Sequence, residues 1–183
     1  PVPPWITPVS AVHNLRGSRA DVIDIVQKQV QIERENNALV IFTDGSWIPE
    51  EGAGAAAVVH GTDCTATASL PSFHTITNYE AELVGIHLAI RLACDWRRSN
   101  LAPDFDGVAI FCDNQSALIN SSIPIGCKSG QSLAVTNFLS CKTLGSPVRL
   151  YWSPGHEGLE ANELADSLAK EAARGNPQRP RVI

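Results

Sequence analysis

Four acidic residues stand where this chain would change from one element to the next: Asp44, Glu82, Asp113 and Asp166. Asp44 closes the apolar run 39–43 in LVIFTDGS, and Asp113 closes the run 108–112 in VAIFC. Glu82 falls in the first turns of a long helical pattern, and Asp166 lies within the last one. If the two strands are adjacent and parallel, both aspartates reach one rim of a sheet, where binding sites gather. Carboxylates brought together there without Lys or Arg repel one another strongly. Divalent cations resolve that repulsion, and hard oxygen ligands at about 2.0–2.1 Å suit Mg²⁺. Two such ions roughly 3.5–4 Å apart can activate a water and stabilise the leaving oxygen of a phosphodiester.

Each residue also has a plainer reading. Asp44-Gly45 is a hairpin-turn signal. Asp113 before Asn-Gln-Ser can be a helix N-cap, and Asp166 can pair with Lys170 one helical turn on. Between the helix's two glutamates the local chemistry chooses. Thr77-Asn78-Tyr79-Glu80 is a capping box, which gives Glu80 a structural task at N3 and leaves Glu82 as the ligand candidate. His156, in SPGHEG, is of a type most often found simply exposed on a loop. Beside a carboxylate–metal centre it can pass protons or help product leave.

The elements that would position these groups follow from periodicity. Residues 1–17 are proline-rich and aperiodic, an arm or linker, and Val22, Ile25, Val26, Val30 and Ile32 then make a roughly helical stripe. Ser18 or Asp21 would cap that helix, and docking on the domain or on a missing neighbour are both open. Runs 39–43, 52–60 and 64–70 read as strands joined by short turns, hence antiparallel. The glycines and alanines of 52–60 suggest close approach of another element. A helix over 78–97, a strand over 108–112, helices over 114–121 and 129–144, a strand over 148–152 and a helix over 160–174 complete the pattern, with Leu164, Leu168 and Ala172 on one face of the last. The order β-β-β-α-β-α-α-β-α describes an α/β fold, a five-stranded mixed sheet with three antiparallel and then parallel strands and helices on both faces. The expected division is an arm and amphipathic helix over 1–37, a catalytic domain over 38–174, and a flexible tail over 175–183.

With 183 residues, 44% hydrophobic and 18% charged, the chain suits one domain with a substantial core. No apolar run approaches the roughly 18 residues of a membrane span, and PVPPWITPVS is not a signal peptide. The five cysteines include no C-x-x-C pair, which points to a reducing, intracellular setting, nucleus or cytoplasm, without disulfides or zinc. The chain opens on Pro1 and holds no methionine, so the expectation is an excised or processed piece of something longer. A net charge of −5 argues against nucleic-acid binding by bulk positive charge, but not against a nucleic-acid enzyme whose carboxylates are neutralised by metal.

FTDGS, TNYEAELVGIHLAI, FCDNQSAL and YWSPGHEGLEANELADSLAKEAA occur in that order and cover 39–174. Together they resemble the motifs of the ribonuclease H family, of the type 1 kind. The resemblance implies the RNase H fold and Mg²⁺-dependent endonucleolytic cleavage of the RNA strand of RNA–DNA hybrids, leaving 3′-hydroxyl and 5′-phosphate ends. It implies two ions with substrate, Mn²⁺ being a possible replacement. It places the four acidic ligands on Asp44, Glu82, Asp113 and Asp166 and the family's mobile histidine on His156. Asn78 and Gln115 match positions where cellular enzymes contact the hybrid near the scissile site, and amides suit a 2′-hydroxyl. Gly45 and Ser46 complete the expected substrate contacts, Gly45 by letting the substrate backbone come close.

The departures narrow the expectation. The segment 122–145 carries only Lys128 and Lys142, so the basic protrusion of some family members is absent. Weak, salt-sensitive hybrid binding follows, as for a module tethered to a polymerase. The arm, the missing methionine and the Ala81-Glu82-Leu83 form of the second motif resemble RNase H domains at the C-terminal end of fungal non-LTR retrotransposon polyproteins, which would make a reverse transcriptase domain the partner. The competing readings are a non-catalytic RNase H-like scaffold or partner-binding module, disfavoured by the presence of all four carboxylates, and an integrase- or transposase-type nuclease of the same broad fold, disfavoured by the intact fourth motif with its histidine.

Overall fold

The apolar run around Phe42 becomes the centre of the sheet. The structure is a computed structural model and describes residues 9–12, 19–70, 76–99, 102–123, 131–155 and 158–176. Its strands are β1 (Val9–Val12), β2 (Ala38–Ile48), β3 (Gly52–Val59), β4 (Thr65–Leu70), β5 (Gly107–Cys112) and β6 (Val148–Trp152). Its helices are α1 (Arg19–Glu35), α2 (Asn78–Arg98), α3 (Gln115–Ser122), α4 (Gln131–Thr143) and α5 (Glu160–Ala173). The strands form one sheet in the order β1-β6-β5-β2-β3-β4. β2, β3 and β4 pair antiparallel, and β5 and β6 join β2 in parallel. This is the expected five-stranded mixed sheet. Its edge is extended by β1, parallel to β6, from an arm in which periodicity gave no strand.

Two apolar layers sandwich the sheet. On one face Ile41, Ile110 and Leu150 meet Leu83, Ile86 and Ile90 of α2, with Leu118, Ala134 and Cys141 from α3 and α4. On the other, Phe42, Phe111 and Tyr151 stack across three neighbouring strands, with ring centroids 4.9 and 5.0 Å apart, beneath α1 and α5. Strand alternation makes this split, since successive residues face opposite sides.

α1 docks on the domain. Val22, Val26 and Val30 are buried, whereas Ile25 and Ile32 of the expected stripe face outward. Glu33 secures the contact: it accepts from Arg149 Nε at 2.9 Å and from the Tyr151 hydroxyl at 2.5 Å. α5 also differs from the reading of its face. Leu164 is exposed, and the buried side is mostly alanine: Ala161, Ala165, Ala169, Ala172 and Ala173, with Leu168. Small residues let the helix settle onto Gly54 of β3, where an added Cβ would stand 2.3 Å from the Ala169 carbonyl. Close approach of an element, expected from the Gly/Ala strand, is therefore that of α5. Ser18, the segment 124–130 and the tail beyond 176 lie outside the described residues. Among those described, no helix is long and apolar enough to cross a membrane, and the cysteines are free.

Candidate active site

The parallel pairing of β2 with β5 ends at Thr43 and Cys112. The next residue on each strand is an aspartate, so Asp44 and Asp113 emerge side by side at one rim. β2 does not stop there. Asp44, Gly45 and Ser46 remain paired with Ala56, Ala55 and Gly54 of β3. The reading of Asp44-Gly45 as a turn is thus corrected: the ladder to β3 holds both residues extended. The reversal falls at 49–51, where Glu50 has φ +66° and Glu51 N–H donates to Ile48 O at 3.2 Å. Asp44 consequently stands on strand backbone secured along one side and open, past the end of β5, on the other.

Gly45 has a task within the fold as well. A Cβ there would lie 2.2 Å from the Glu82 backbone nitrogen. The close approach it allows is that of α2, and this seats Glu82 beside Asp44. α2 begins with the capping box: Thr77 N–H donates to Glu80 Oε2 at 2.8 Å, and Glu80 N–H to Thr77 Oγ1 at 3.3 Å. Glu80 is engaged at the cap while Glu82 is buried under the rim.

Asp113 is framed by the end of β6. Trp152 Nε1 donates to Asp113 O at 2.8 Å, and Ser153 N–H to Cys112 O at 3.0 Å. A Cβ on Gly155 would come within 2.7 Å of Asp113 Oδ2. The loop that carries His156 therefore runs against Asp113, although His156 itself lies outside the described residues. The N-cap of α3 is Asn114, which accepts from Ala117 N–H at 3.0 Å, not Asp113. On α5, Asp166 does pair with Lys170, at 2.7 Å, and its charge still reaches Asp44.

The electrostatics are those of a crowded acidic site. Burial, then the charges of Asp113 and Asp166, push the Asp44 carboxyl up to about 8, against the partial relief of Lys170. Glu82 is held well above its ordinary range by burial, then by Asp113 and Asp44. Oxygens of Glu82 and Asp113 and the Cys112 sulfur converge within 4.8 Å of one another. Buried carboxylates that disfavour their own ionisation are a donor set suited to a hard divalent cation. The chemistry of these carboxylates fits a divalent cation.

Of the expected substrate contacts, Asn78 and Gln115 are exposed at the first positions of α2 and α3, and Ser46 is buried on β2. Three residues at the site went unnoticed in the sequence: Cys112, Trp152 and Gly155. Gly155 alone carried a signal, as a glycine beside the singled-out histidine.

No curated protein matches this chain significantly. The RNase H family matches it over residues 36–174. That span begins at the end of α1 and takes in all four carboxylates and the sheet from β2 to β6. With motifs, strand order and acidic rim in agreement, the chain belongs to the ribonuclease H family, whose members cleave RNA–DNA hybrids.

Proposed function

We propose that the chain is an active, divalent-metal-dependent endoribonuclease that cuts the RNA strand of RNA–DNA hybrids. The observation that carries this reading is the set of intact carboxylates at the rim, with Asp44 and Glu82 both driven towards protonation by burial and by the charge of Asp113. A scaffold has no need of such a costly arrangement, whereas a cation site does. Asp44 and Asp113 would hold the cations most directly, Glu82 would ligate one and help position the attacking side, and Asp166 would complete the second site. Two bound cations would supply an activated water and a stabilised leaving oxygen. His156 would take up or deliver protons and help product leave. Asn78 and Gln115, exposed at helix starts, would contact the hybrid where the 2′-hydroxyl marks RNA.

We further infer a place in a reverse-transcribing element, with a polymerase domain as the partner that delivers the hybrid, in the nucleus or cytoplasm. Support comes from the Ala81-Glu82-Leu83 motif and the few cations between 122 and 145.

The test is incubation with labelled RNA–DNA hybrid, duplex RNA and duplex DNA in Mg²⁺ or Mn²⁺ at low salt. Cleavage of hybrid RNA alone, lost in chelator and falling steeply as salt rises, is expected. Hybrid left intact at low salt would overturn the enzyme reading in favour of the non-catalytic module.

A further inference from the structure

Cys112 ends β5 one residue before Asp113 and is fully buried. Alternation along the strand turns it towards α2, in the same apolar layer as Leu83 and Ile86. Its Sγ lies 3.6 Å from Glu82 Oε2 and 3.9 Å from Asn114 O, and it accepts the Asn114 N–H at 3.4 Å. Between Glu82 Oε2 and Asn114 O, the Glu82 oxygen is the nearer acceptor for the thiol hydrogen. On the rim side Glu82 shares a hydrogen bond with Asp113 and feels the charges of Asp113 and Asp44. The Cys112 thiol holds it from the opposite side, beneath α2.

We propose that Cys112 is a positioning residue for cation binding: its S–H donates to Glu82 Oε2 and holds that carboxylate at the rim. An apolar side chain there would fill the space beneath α2 but would take this hydrogen bond away from Glu82. The inference rests on Glu82 being a cation ligand. Groups that orient ligands without touching the metal typically change affinity about 10–100-fold when removed.

The experiment compares the wild type with Cys112→Val, which keeps an apolar side chain and removes the donor, and Cys112→Ser, which keeps a donor. Mn²⁺ is titrated into each protein without substrate and followed by electron paramagnetic resonance, and thermal unfolding is measured in chelator. The expected result is Mn²⁺ affinity about 10-fold weaker for Cys112→Val, with affinity retained to within about 3-fold by Cys112→Ser. Chelated Cys112→Val should melt no lower than the wild type. Equal Mn²⁺ affinity in wild type and Cys112→Val would overturn the inference while leaving the cation site standing. Equal weakening in both variants would assign Cys112 to packing instead. A wild type that binds no Mn²⁺ would bring down the cation reading, and the inference with it.

Discussion

Gly45 holds the space in which a side chain would collide with the backbone of Glu82: an added Cβ would stand 2.2 Å from the Glu82 nitrogen and 2.4 Å from the Ala81 carbonyl carbon. A strand residue and a helix residue 37 positions apart in sequence are thereby held in backbone contact, and a metal-ligand candidate is carried along with the helix. Gly45→Ala must push α2 away from β2. Overpacking of this kind costs about 1–3 kcal/mol or more. The expected outcome is a large fall in the urea midpoint together with loss of hydrolysis in whatever fraction folds. A variant with wild-type stability and activity would show that α2 does not need this approach.

The two glutamates of α2 separate structure from chemistry. Glu80→Gln keeps a capping-box acceptor and removes only the charge at the exposed helix start, so a loss of about 0.3–1 kcal/mol with cleavage retained is expected. Glu82→Gln should leave melting in chelator unchanged or raised, because burial already disfavours its charge, while abolishing cleavage. Asp113→Asn should behave like Glu82→Gln. Parallel circular dichroism melts and hybrid-cleavage assays decide. Activity lost in Glu80→Gln and kept in Glu82→Gln would reverse the assignment.

Why this choice was legible in sequence, and others were not, follows from the range of the interactions. A capping box is a four-residue pattern, so Thr77 and Glu80 announce themselves. Likewise the buried strands around Ile41 and Ile110 show as unbroken apolar runs, and the parallel step between them follows from the helix in between. The fate of Asp44-Gly45 depends on β3 pairing alongside, a contact that no local pattern records, so a turn-forming dipeptide ends up extended. Leu164 and Ile32 fit their helical stripes, but which side of a helix finds the sheet is decided by partners such as Gly54 and Tyr151. β1 is four residues long within a proline-rich arm and depends wholly on the neighbouring β6 edge.

Gly155 stands against Asp113 on the approach to His156. A methyl group there would press on Asp113 Oδ2, the movable end of a side chain, not on backbone. Gly155→Ala should therefore leave the unfolding free energy within about 0.5 kcal/mol of the wild type but lower cleavage at limiting Mg²⁺, with partial recovery as Mg²⁺ is raised. An unchanged Mg²⁺ dependence would mean that the loop adjusts instead of the aspartate.

α1 lies wholly before the matched span, yet its Glu33 joins Arg149 and Tyr151 of β6. Burial alone would raise the Glu33 carboxyl, but hydrogen bonds from Arg149 and Tyr151 outweigh it and leave the group below its ordinary range. A lowered carboxyl stabilises the fold above its unfolded value, and that contribution is lost as pH falls through the folded value. Glu33→Gln should thus cost roughly 2–4 kcal/mol at pH 7. The gap from wild type should shrink as pH falls below about 4. A gap independent of pH would remove the ionic part of this contact.

Asp44 predicts the opposite slope. Its carboxyl is raised to about 8 by burial and by the charges of Asp113 and Asp166. A raised group favours the folded state while protonated, and that advantage disappears as pH climbs from the unfolded value through the folded one. Without metal, the wild type should lose stability between about pH 4 and pH 8, and Asp44→Asn should escape part of that loss. At pH 8 in chelator Asp44→Asn should be the more stable protein by roughly 2 kcal/mol or more, since each pKa unit carries about 1.4 kcal/mol. Near pH 4 the two should converge. Added Mg²⁺ should stabilise the wild type at pH 8, where the carboxylates are ionised and available, and do much less for Asp44→Asn. Urea unfolding at the two pH values, with chelator and with Mg²⁺, measures all of these. Parallel stability curves in chelator would show that Asp44 ionises in the folded protein as easily as in the unfolded chain, and the repulsion that calls for a cation would be absent.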